Sequence, residues 1–366
     1  MQPTSEAIPV RTLPSGHVLT VRSFRFSGCS VEAPRVYIQA GVHGTEVQGT
    51  AVVAQLLAEL SNLPQDSILG EIVLVPNANP HGLNSKSGEH TVGPFDPATG
   101  LNWNRAYSDL SSLEPPKGSS VSAYKTLLVN RLEEMWSKKS ASCSAMQRHA
   151  FSLQRMAQRA DIVLDLHTSA RGNRYVYGPA YAQTAMAQLN VTDFITLSGR
   201  CDGALDEAIS CPWIRHRARL GSDSEMPFGL TLELGDQEQI DLEEAKRDAQ
   251  GILSLLRLKG VLTGPPQPLF QTFHVASDQD FHPVYAPSGG LFQFEVQPGS
   301  SVRAGDRMGT LLRLDGAHPQ LEPVHAPKAG RVLTQYPSAI CHQGVELYKI
   351  LGPCEVLSFV VESPLK

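Results

Sequence analysis

Short apolar runs alternate with longer amphipathic segments through the first 260 residues of the chain. The 3.6-residue spacing of apolar positions in residues 47–60 predicts a helix, and similar segments cover residues 119–136, 145–160 and 242–259. Period-two alternation in residues 18–26 predicts an edge strand. The runs that predict buried strands lie at residues 36–40, 72–75, 161–167, 175–177, 194–197 and 230–234. Strands that alternate with helices predict an α/β fold, with a mostly parallel sheet covered by helices on both faces.

The pattern changes at a Pro/Gly cluster in residues 262–268. We therefore predict two domains, residues 1–262 and residues 263–366. The second has short alternating runs and no helical period, and residues 284–291 resemble residues 324–332. Two similar halves predict a small all-β barrel-sandwich with approximate two-fold symmetry, which resembles the biotinyl/lipoyl carrier fold. A carrier role is disfavoured because Lys328 lies inside an Ala-Pro-x-x-Gly segment and not at a hairpin tip.

Composition narrows the class of protein. The chain has 366 residues, a formal net charge of −5 and no long basic block, so nothing indicates binding to nucleic acid or to an anionic membrane. Its first residues lack the pattern of a signal peptide, so none is expected, and no apolar run is long enough to predict a membrane span. The six cysteines form no Cys-x-x-Cys pair, which favours reduced thiols and a cytoplasmic enzyme.

The first candidate site residues are His43 and Glu46, in the segment Gly41-Val-His-Gly-Thr-Glu46 between a predicted strand and a predicted helix. In open α/β sheets, ligands bind at the carboxyl ends of strands. A histidine and a carboxylate three residues apart can reach one cation from the same side, although this pair alone is a weak signal.

His167 strengthens the metal hypothesis because it also ends a predicted buried strand. Two histidines, a glutamate and an open fourth position are typical of a catalytic zinc site. Such an ion polarises a carbonyl and lowers the pKa of a bound water molecule. We therefore predict that His43, Glu46 and His167 converge as ligands of Zn2+.

Glu233 is a carboxylate in the otherwise apolar segment Leu230-Thr-Leu-Glu-Leu234. A buried ion pair with an arginine explains such a residue about as well as catalysis does. Beside a zinc ion, however, Glu233 would be a natural general base.

Asn102-Trp-Asn-Arg105 follows a long stretch that is rich in Gly, Pro, Ser and Asn. Long loops in compact domains are usually functional. Arg105 offers a bidentate fork for a substrate carboxylate, and Asn104 offers a further donor. A surface salt bridge is the commoner role for any single arginine.

Five segments, in this order, resemble the succinylglutamate desuccinylase/aspartoacylase family, which is related to the zinc carboxypeptidases. They are Gly41 to Glu46, Asn79-Pro80, Asn102 to Arg105, Asp165 to Thr168 and Thr231 to Gly235. The resemblance implies a zinc amidohydrolase that removes an acyl group from a small amino compound. It implies His43, Glu46 and His167 as zinc ligands, Glu233 as general base, and Asn104 and Arg105 as the substrate-binding pair.

The chain departs from the family pattern at two points. The family often has an aspartate where this chain has Asn102, and related enzymes carry an oxyanion-stabilising arginine between the Asn-Pro and Asn-Arg segments. No arginine occurs from Val36 to Asn104, although Lys86 and His90 lie there. Further anion-binding candidates are Arg171, Arg174 and the alternating series Arg215, Arg217 and Arg219, for which a solvated face is the default interpretation.

The candidate residues are compatible with three functions. The leading hypothesis is a zinc-dependent deacylase acting on a small-molecule N-acyl amino acid, with homo-oligomerisation left open. The second is a zinc carboxypeptidase acting on short peptides, which the β domain would restrict in length. The third is a binding module that keeps a metal only for structure.

Overall fold

The computed structural model of the chain describes residues 2–221, 224–267 and 269–361. Its first half contains ten strands and seven helices, in the alternation that the sequence predicts. The strands are β1 (Thr4–Thr12), β2 (Val18–Phe26), β3 (Val36–Ala40), β4 (Ile72–Val75), β5 (Lys86–Ser87), β6 (His90–Thr91), β7 (Ile162–Ser169), β8 (Arg174–Gly178), β9 (Asp193–Thr196) and β10 (Phe228–Asp236). The helices are α1 (Gln48–Asn62), α2 (Pro80–Asn84), α3 (Val121–Lys139), α4 (Ala145–Ala157), α5 (Gln183–Met186), α6 (Leu205–Leu220) and α7 (Leu242–Leu258).

A ten-stranded mixed sheet organises the molecule, and its strand order is β1-β2-β4-β3-β7-β10-β8-β9 followed by two later strands. The central strands β4, β3, β7 and β10 run parallel to one another. The hairpin β1–β2 closes one edge in antiparallel pairing, and β8 is antiparallel to β10. The carboxyl ends of β3, β7 and β10 therefore meet at one edge of the sheet, where a ligand site is expected.

Helices cover both faces of this sheet, as the sequence predicts. Strand β3 shows how: Val36, Ile38 and Ala40 pack into one core with α1 and α7. Tyr37 points into the second core, with α4 and α6. Alternate side chains of a strand point to opposite faces, so a strand buried on both sides must be apolar throughout.

From residue 269 to residue 361 the C-terminal part contains strands and no helix, as predicted. These strands are β11 (Leu269–Ser277), β12 (Phe281–Tyr285), β13 (Gly290–Phe294), β14 (Ser301–Val302), β15 (Arg307–Arg313), β16 (Gln320–His325), β17 (Gly330–Gln335), β18 (Ile340–Cys341), β19 (Glu346–Leu351) and β20 (Glu355–Val361). Two four-stranded sheets, β12-β19-β17-β14 and β16-β15-β13-β18, enclose a core of their own. Each half of the repeat contributes two strands to each sheet, which gives the approximate symmetry that the repeat predicts. Lys328 is exposed between β16 and β17.

Strands β11 and β20 do not belong to this sandwich. They pair with each other, and β11 extends the large sheet beside β9. The two ends of the C-terminal segment are thus built into the first domain's sheet, and the division at residues 262 and 263 stays a proposal.

The sandwich also contacts the segment that follows β7. Backbone N–H groups of Asn173 and Gln335 donate across this junction, to Leu333 O at 2.7 Å and to Arg171 O at 2.9 Å. Arg331 pairs with the fully buried Asp193 at 2.8 Å. Since β7 carries His167, the sandwich braces the strand end at the candidate site.

Helix α6 is absent from the sequence-based prediction, and the alternating arginines Arg215, Arg217 and Arg219 lie in its second half. Pro212 lies inside the helix, and proline in a helix interior normally breaks the pattern. Burial overrides that preference here, because Ile209 and Trp213 pack inward.

None of the helices in the described residues has the length and apolar composition that a membrane span requires.

Candidate metal centre

The segment from Gly41 to Glu46 makes a tight turn between β3 and α1. Gly41 has a φ of +70°, in the left-handed region that favours glycine. A Cβ atom on Gly44 would lie 2.2 Å from the carbonyl oxygen of Gly82, so α2 closes directly onto the turn. These constraints fix the backbone that carries His43 and Glu46.

The three predicted ligands converge. Nδ1 of His43 lies 2.7 Å from Glu46 Oε1, and Nδ1 of His167 lies 2.7 Å from Glu46 Oε2. The candidate ligand atoms all lie within 4.8 Å of one another, and all three residues are buried. The prediction that this group assembles within reach of one metal ion is confirmed.

The tautomer of His43 follows from the contact of its second ring nitrogen, Nε2. Nε2 lies 3.0 Å from Oδ1 of Asn102, and the same oxygen accepts a hydrogen bond from the backbone N–H of Asn104 at 2.8 Å. Because that oxygen is an acceptor, Nε2 of His43 must donate. In the neutral imidazole, Nδ1 then presents a lone pair to a carboxylate oxygen, a contact that is repulsive without a cation or proton between them. This donor set fits a metal ion.

His167 is held by a carboxylate from its own strand. Oδ2 of Asp165 lies 2.9 Å from Nε2 of His167, although the contact is not a well-directed hydrogen bond. Asp165 is fully buried and also accepts a hydrogen bond from Gln39 at 2.9 Å. The carboxylate favours a proton on Nε2, so Nδ1 again faces Glu46.

Opposing electrostatic effects act on this group. Burial alone would raise the pKa of Glu46, but the imidazoles of His43 and His167 lower it to about 2. Burial likewise would lower the pKa of His167, but Asp165 and Glu46 raise it well above its ordinary value. Positive charge between these residues therefore stabilises the cluster, and either a proton on an imidazole or a bound cation supplies it.

Glu233 lies next to His167 because β10 pairs with β7 in parallel, and the two residues are register partners. Its Oε2 accepts a hydrogen bond from the Ser169 hydroxyl at 3.1 Å, and Tyr175 contacts that hydroxyl in turn. Burial, aided by the negative charge of Glu46, raises the pKa of Glu233 to about 7. Acid–base catalysts work best with a pKa near the operating pH.

Asn104 is buried and already engaged. Its Oδ1 accepts from the backbone N–H of Leu205 at 3.2 Å. Its Nδ2 lies 3.3 Å from Nε2 of His167, which is a contact between two donors when Nε2 carries the proton. Arg105 is exposed, and one guanidinium nitrogen donates to the carbonyl of Asn104 at 2.6 Å. Arg105 thus keeps donors for a ligand, whereas Asn104 chiefly orients its surroundings; binding of substrate by either residue stays a prediction.

The other predicted cations have different surroundings. Arg174 donates to the carbonyl of Leu234 at 3.1 Å and pairs with Asp248. Lys86 donates to Thr91 on the β5–β6 hairpin at 2.7 Å. Arg171 is exposed, and Arg219 pairs with Glu114 at 2.7 Å.

Sequence reasoning did not single out Asp165, Ser169 or Asp206. Asp165 carried a signal, because a charged residue two positions before His167 in an apolar strand shares its face. No pattern in the sequence pointed to Asp206, because the helix that presents it was not predicted. It is buried, and burial with the neighbouring Glu207 raises its pKa to about 7.

The fold and the site define a class: an α/β protein with a His-Glu-His centre at the carboxyl ends of parallel strands and an all-β domain at its C-terminus. Residues 32–259 match the profile of the succinylglutamate desuccinylase/aspartoacylase catalytic domain. The chain belongs to this family of hydrolytic deacylases.

Solved structures agree over nearly the whole chain. A protein named as a succinylglutamate desuccinylase/aspartoacylase from Shewanella frigidimarina is 35% identical, with a TM-score of 0.88, covering 98% of this chain and 99% of that one. A family protein from Shewanella amazonensis is also 35% identical, with a TM-score of 0.87, covering 97% and 100% of the two chains. The product-bound EutE (DoeB) of Ruegeria pomeroyi shares the fold at 17% identity, with a TM-score of 0.69 over 95% and 94% of the chains. No curated protein is significantly similar in sequence.

Proposed function

We propose that this protein is a zinc-dependent deacylase that hydrolyses the amide bond of an N-acyl amino acid. The observation that carries the proposal is the orientation of His43. Its Nε2 donates to Asn102, so its Nδ1 lone pair faces Glu46 at 2.7 Å, where a cation relieves the repulsion. Nδ1 of His167 completes a set of three protein ligands, the number that is typical of a catalytic zinc site.

Each residue has a defined task in this proposal. A zinc ion held by His43, Glu46 and His167 would supply Lewis acidity toward the acyl carbonyl and toward water. Glu233 accepts a proton from the attacking water and delivers it to the leaving nitrogen.

Arg105 is the proposed clamp for the substrate carboxylate. A guanidinium fork binds a carboxylate through two parallel hydrogen bonds, which fixes both position and orientation. Arg105 follows Asn104, whose amide contacts His167, so the clamp is tied to the metal centre by one peptide unit.

We also propose a cytoplasmic location for the protein, because all six cysteines are free thiols.

The C-terminal sandwich favours small substrates. Its Phe281 ring lies 6.3 Å from the ring of Tyr177 on β8, the strand that neighbours Glu233. Because Phe281 of the sandwich lies this close to the strand beside Glu233, a long peptide has less room near the proposed base. Short peptides hydrolysed by a carboxypeptidase activity are therefore the second candidate substrates.

The test is hydrolysis by zinc-loaded protein of N-acetyl amino acids and of matched dipeptides. We expect release of amino acid from the N-acyl compounds, loss of activity after chelation, and recovery when zinc is returned. Faster cleavage of the dipeptides would establish the carboxypeptidase alternative. Full activity after chelation would contradict the metal mechanism.

A further inference from the structure

Two of the six cysteines lie beside each other where the chain enters α6. Cys211 is on the helix and fully buried, and Cys201 is half-buried on the α6 entry loop, residues 197–204. The Cys211 thiol donates to the carbonyl of Arg200 at 3.3 Å, so its sulfur contacts the peptide unit that leads into Cys201. The two thiols also share a hydrogen bond. An S–S bond is about 2.05 Å long, so a shift on the order of 1–2 Å would join them.

The two thiols differ in their access to solvent. An oxidant in solution can reach Cys201, whereas the surrounding side chains keep it away from Cys211. The hydrogen bond with Cys201, followed by burial, raises the pKa of Cys211, so the buried sulfur stays a thiol while Cys201 reacts first. An accessible cysteine next to a second, resolving cysteine is the arrangement found in redox-sensing proteins.

The second half of the α6 entry loop packs against the segment that carries Arg105. The backbone N–H of Tyr107 donates to the carbonyl of Gly203 at 3.2 Å. Gly203 has a φ of +95°, and a Cβ atom on it would lie 3.0 Å from the carbonyl oxygen of Arg105. Cys201 is only two residues before this contact, so a displacement of Cys201 acts on the backbone of Arg105.

The first half of the same loop is anchored. The backbone N–H and the hydroxyl of Ser198 donate to one carboxylate oxygen of Asp278, at 2.9 and 3.0 Å. A Cβ atom on Gly199 would lie 3.0 Å from the side chain of Ile214 on α6, so the loop is packed onto the helix there. A movement of Cys201 toward α6 is therefore taken up in the second half of the loop.

We propose that Cys201 and Cys211 form a reversible disulfide when the protein meets hydrogen peroxide, and that this bond weakens substrate binding by displacing Arg105. The effect on substrate rests on the proposed deacylase function, whereas formation of the disulfide does not. Disulfides in reducing compartments are usually transient and serve catalysis or redox sensing, which suits a bond of this kind.

One molecule of hydrogen peroxide balances the reaction. The Cys201 sulfur attacks a peroxide oxygen, the O–O bond breaks, and a sulfenic acid and a water molecule result. The Cys211 sulfur then attacks the Cys201 sulfur, the S–S bond forms, and the S–O bond breaks. The departing hydroxide takes the proton of Cys211 and leaves as water. Two thiols and one peroxide thus give a disulfide and two water molecules, and two electrons pass from sulfur to oxygen.

Mass spectrometry of the zinc-loaded protein after treatment with a slight molar excess of hydrogen peroxide tests the bond itself. We expect a cross-linked peptide pair that contains Cys201 and Cys211, and its loss after addition of a thiol reductant. Cys201→Ser and Cys211→Ala should each abolish the cross-link. Cys143→Ser is the matched control, because Cys143 is also half-buried and donates to a backbone carbonyl, and it should leave the cross-link unchanged. Oxidation of Cys201 without this cross-link would overturn the proposal.

Steady-state kinetics tests the effect on substrate. Cross-linked protein should show a KM about tenfold higher for N-acyl amino acids, because misplacing a positioning group by about 1 Å can cost up to 100-fold. Zinc content should be unchanged, since no thiol is in the ligand set. A thiol reductant should restore KM, which separates the disulfide from methionine oxidation. Cys201→Ser should keep its KM in peroxide, and Cys143→Ser should respond like the wild type.

The two measurements separate this inference from the proposed function. An unchanged KM in fully cross-linked protein would contradict the displacement of Arg105. Absence of hydrolysis by the reduced, zinc-loaded protein would contradict the deacylase function, and the cross-link would still decide whether the disulfide forms.

Discussion

The two histidines of the candidate metal centre are held by different kinds of structure. His167 and its partner Asp165 lie two residues apart on β7, in the middle of the sheet. His43 lies in a turn, and its partner Asn102 comes from the long loop that follows β6. We refer to these as the strand side and the loop side of the site.

The difference is one of charge as well as rigidity. On the strand side a fully buried carboxylate faces the imidazole, while on the loop side a neutral amide does. A carboxylate partner makes a metal-binding histidine more basic than an amide partner does. The strand side should therefore dominate metal affinity, and the loop side should tune substrate binding.

The largest expected effect is on the strand side. Glu233→Gln should lower kcat about 1,000-fold, because general acid–base catalysis typically contributes 100- to 10,000-fold. Zinc content should be unchanged, since Glu233 is not in the ligand set. Steady-state kinetics with metal analysis checks this, and Glu238→Gln, just beyond the same strand, should be nearly silent. Loss of zinc together with activity would show that Glu233 holds the metal and is not the base.

Arg105→Gln tests the loop side. We expect kcat/KM to fall about 100-fold, mainly through KM, because a charge-assisted pair to the substrate carboxylate is lost. An ester or amide that lacks this carboxylate should be hydrolysed equally by both proteins. A fall in kcat with unchanged KM would instead tie Arg105 to the transition state.

The partners of the two histidines give a direct contrast. Asp165→Asn should weaken zinc affinity about 10- to 100-fold, the usual cost of losing such a partner, and Asn102→Ala should cost less. Asn102→Asp supplies the missing charge and should strengthen binding about tenfold at most. Competition with a chelator gives all three affinities. A larger loss in Asn102→Ala than in Asp165→Asn would reverse the ranking of the two sides.

The smallest effect on activity is expected at His149, which supports the loop side and acts on the stability of the protein. His149 packs against Trp103, between Asn102 and Asn104, and donates to the carbonyl of Ala78 at 2.5 Å. Burial lowers the pKa of His149 to about 4. Its unfolded value is near 6.5, so the unfolded chain binds more protons between these values and stability falls as pH drops from about 6.5 to 4. The contribution is of order 3 kcal/mol.

Thermal unfolding at several pH values measures this effect in the wild type and in His149→Gln. The variant should lose less stability on acidification, because glutamine does not titrate. Glu233 and Asp206 act in the opposite direction, since their raised pKa values favour the folded protein at lower pH. An identical pH dependence in both proteins would rule out His149 as a source of acid sensitivity.

The same contrast explains what the sequence could predict. His43, Glu46, His167 and Glu233 follow apolar runs whose direction in a parallel sheet is fixed, so their convergence could be expected. The contact of Asn102 with His43 could be expected only from the family resemblance, because the loop that carries Asn102 has no clear period. The burial of Asp206 could not be expected, because the helix that presents it was not predicted. Pro212 disfavours a helix in this segment, and the burial of Trp213 and its neighbours stabilises the helix nevertheless.

The most direct test of the metal centre is a calorimetric titration of chelator-stripped protein with zinc. Wild-type protein should bind one zinc ion per chain at a saturable site. His43→Ala and His167→Ala should each weaken that binding well beyond the ~10- to 100-fold expected for a lost partner of a ligand. Absence of saturable zinc binding in the wild type, or undiminished affinity in both variants, would contradict the assignment.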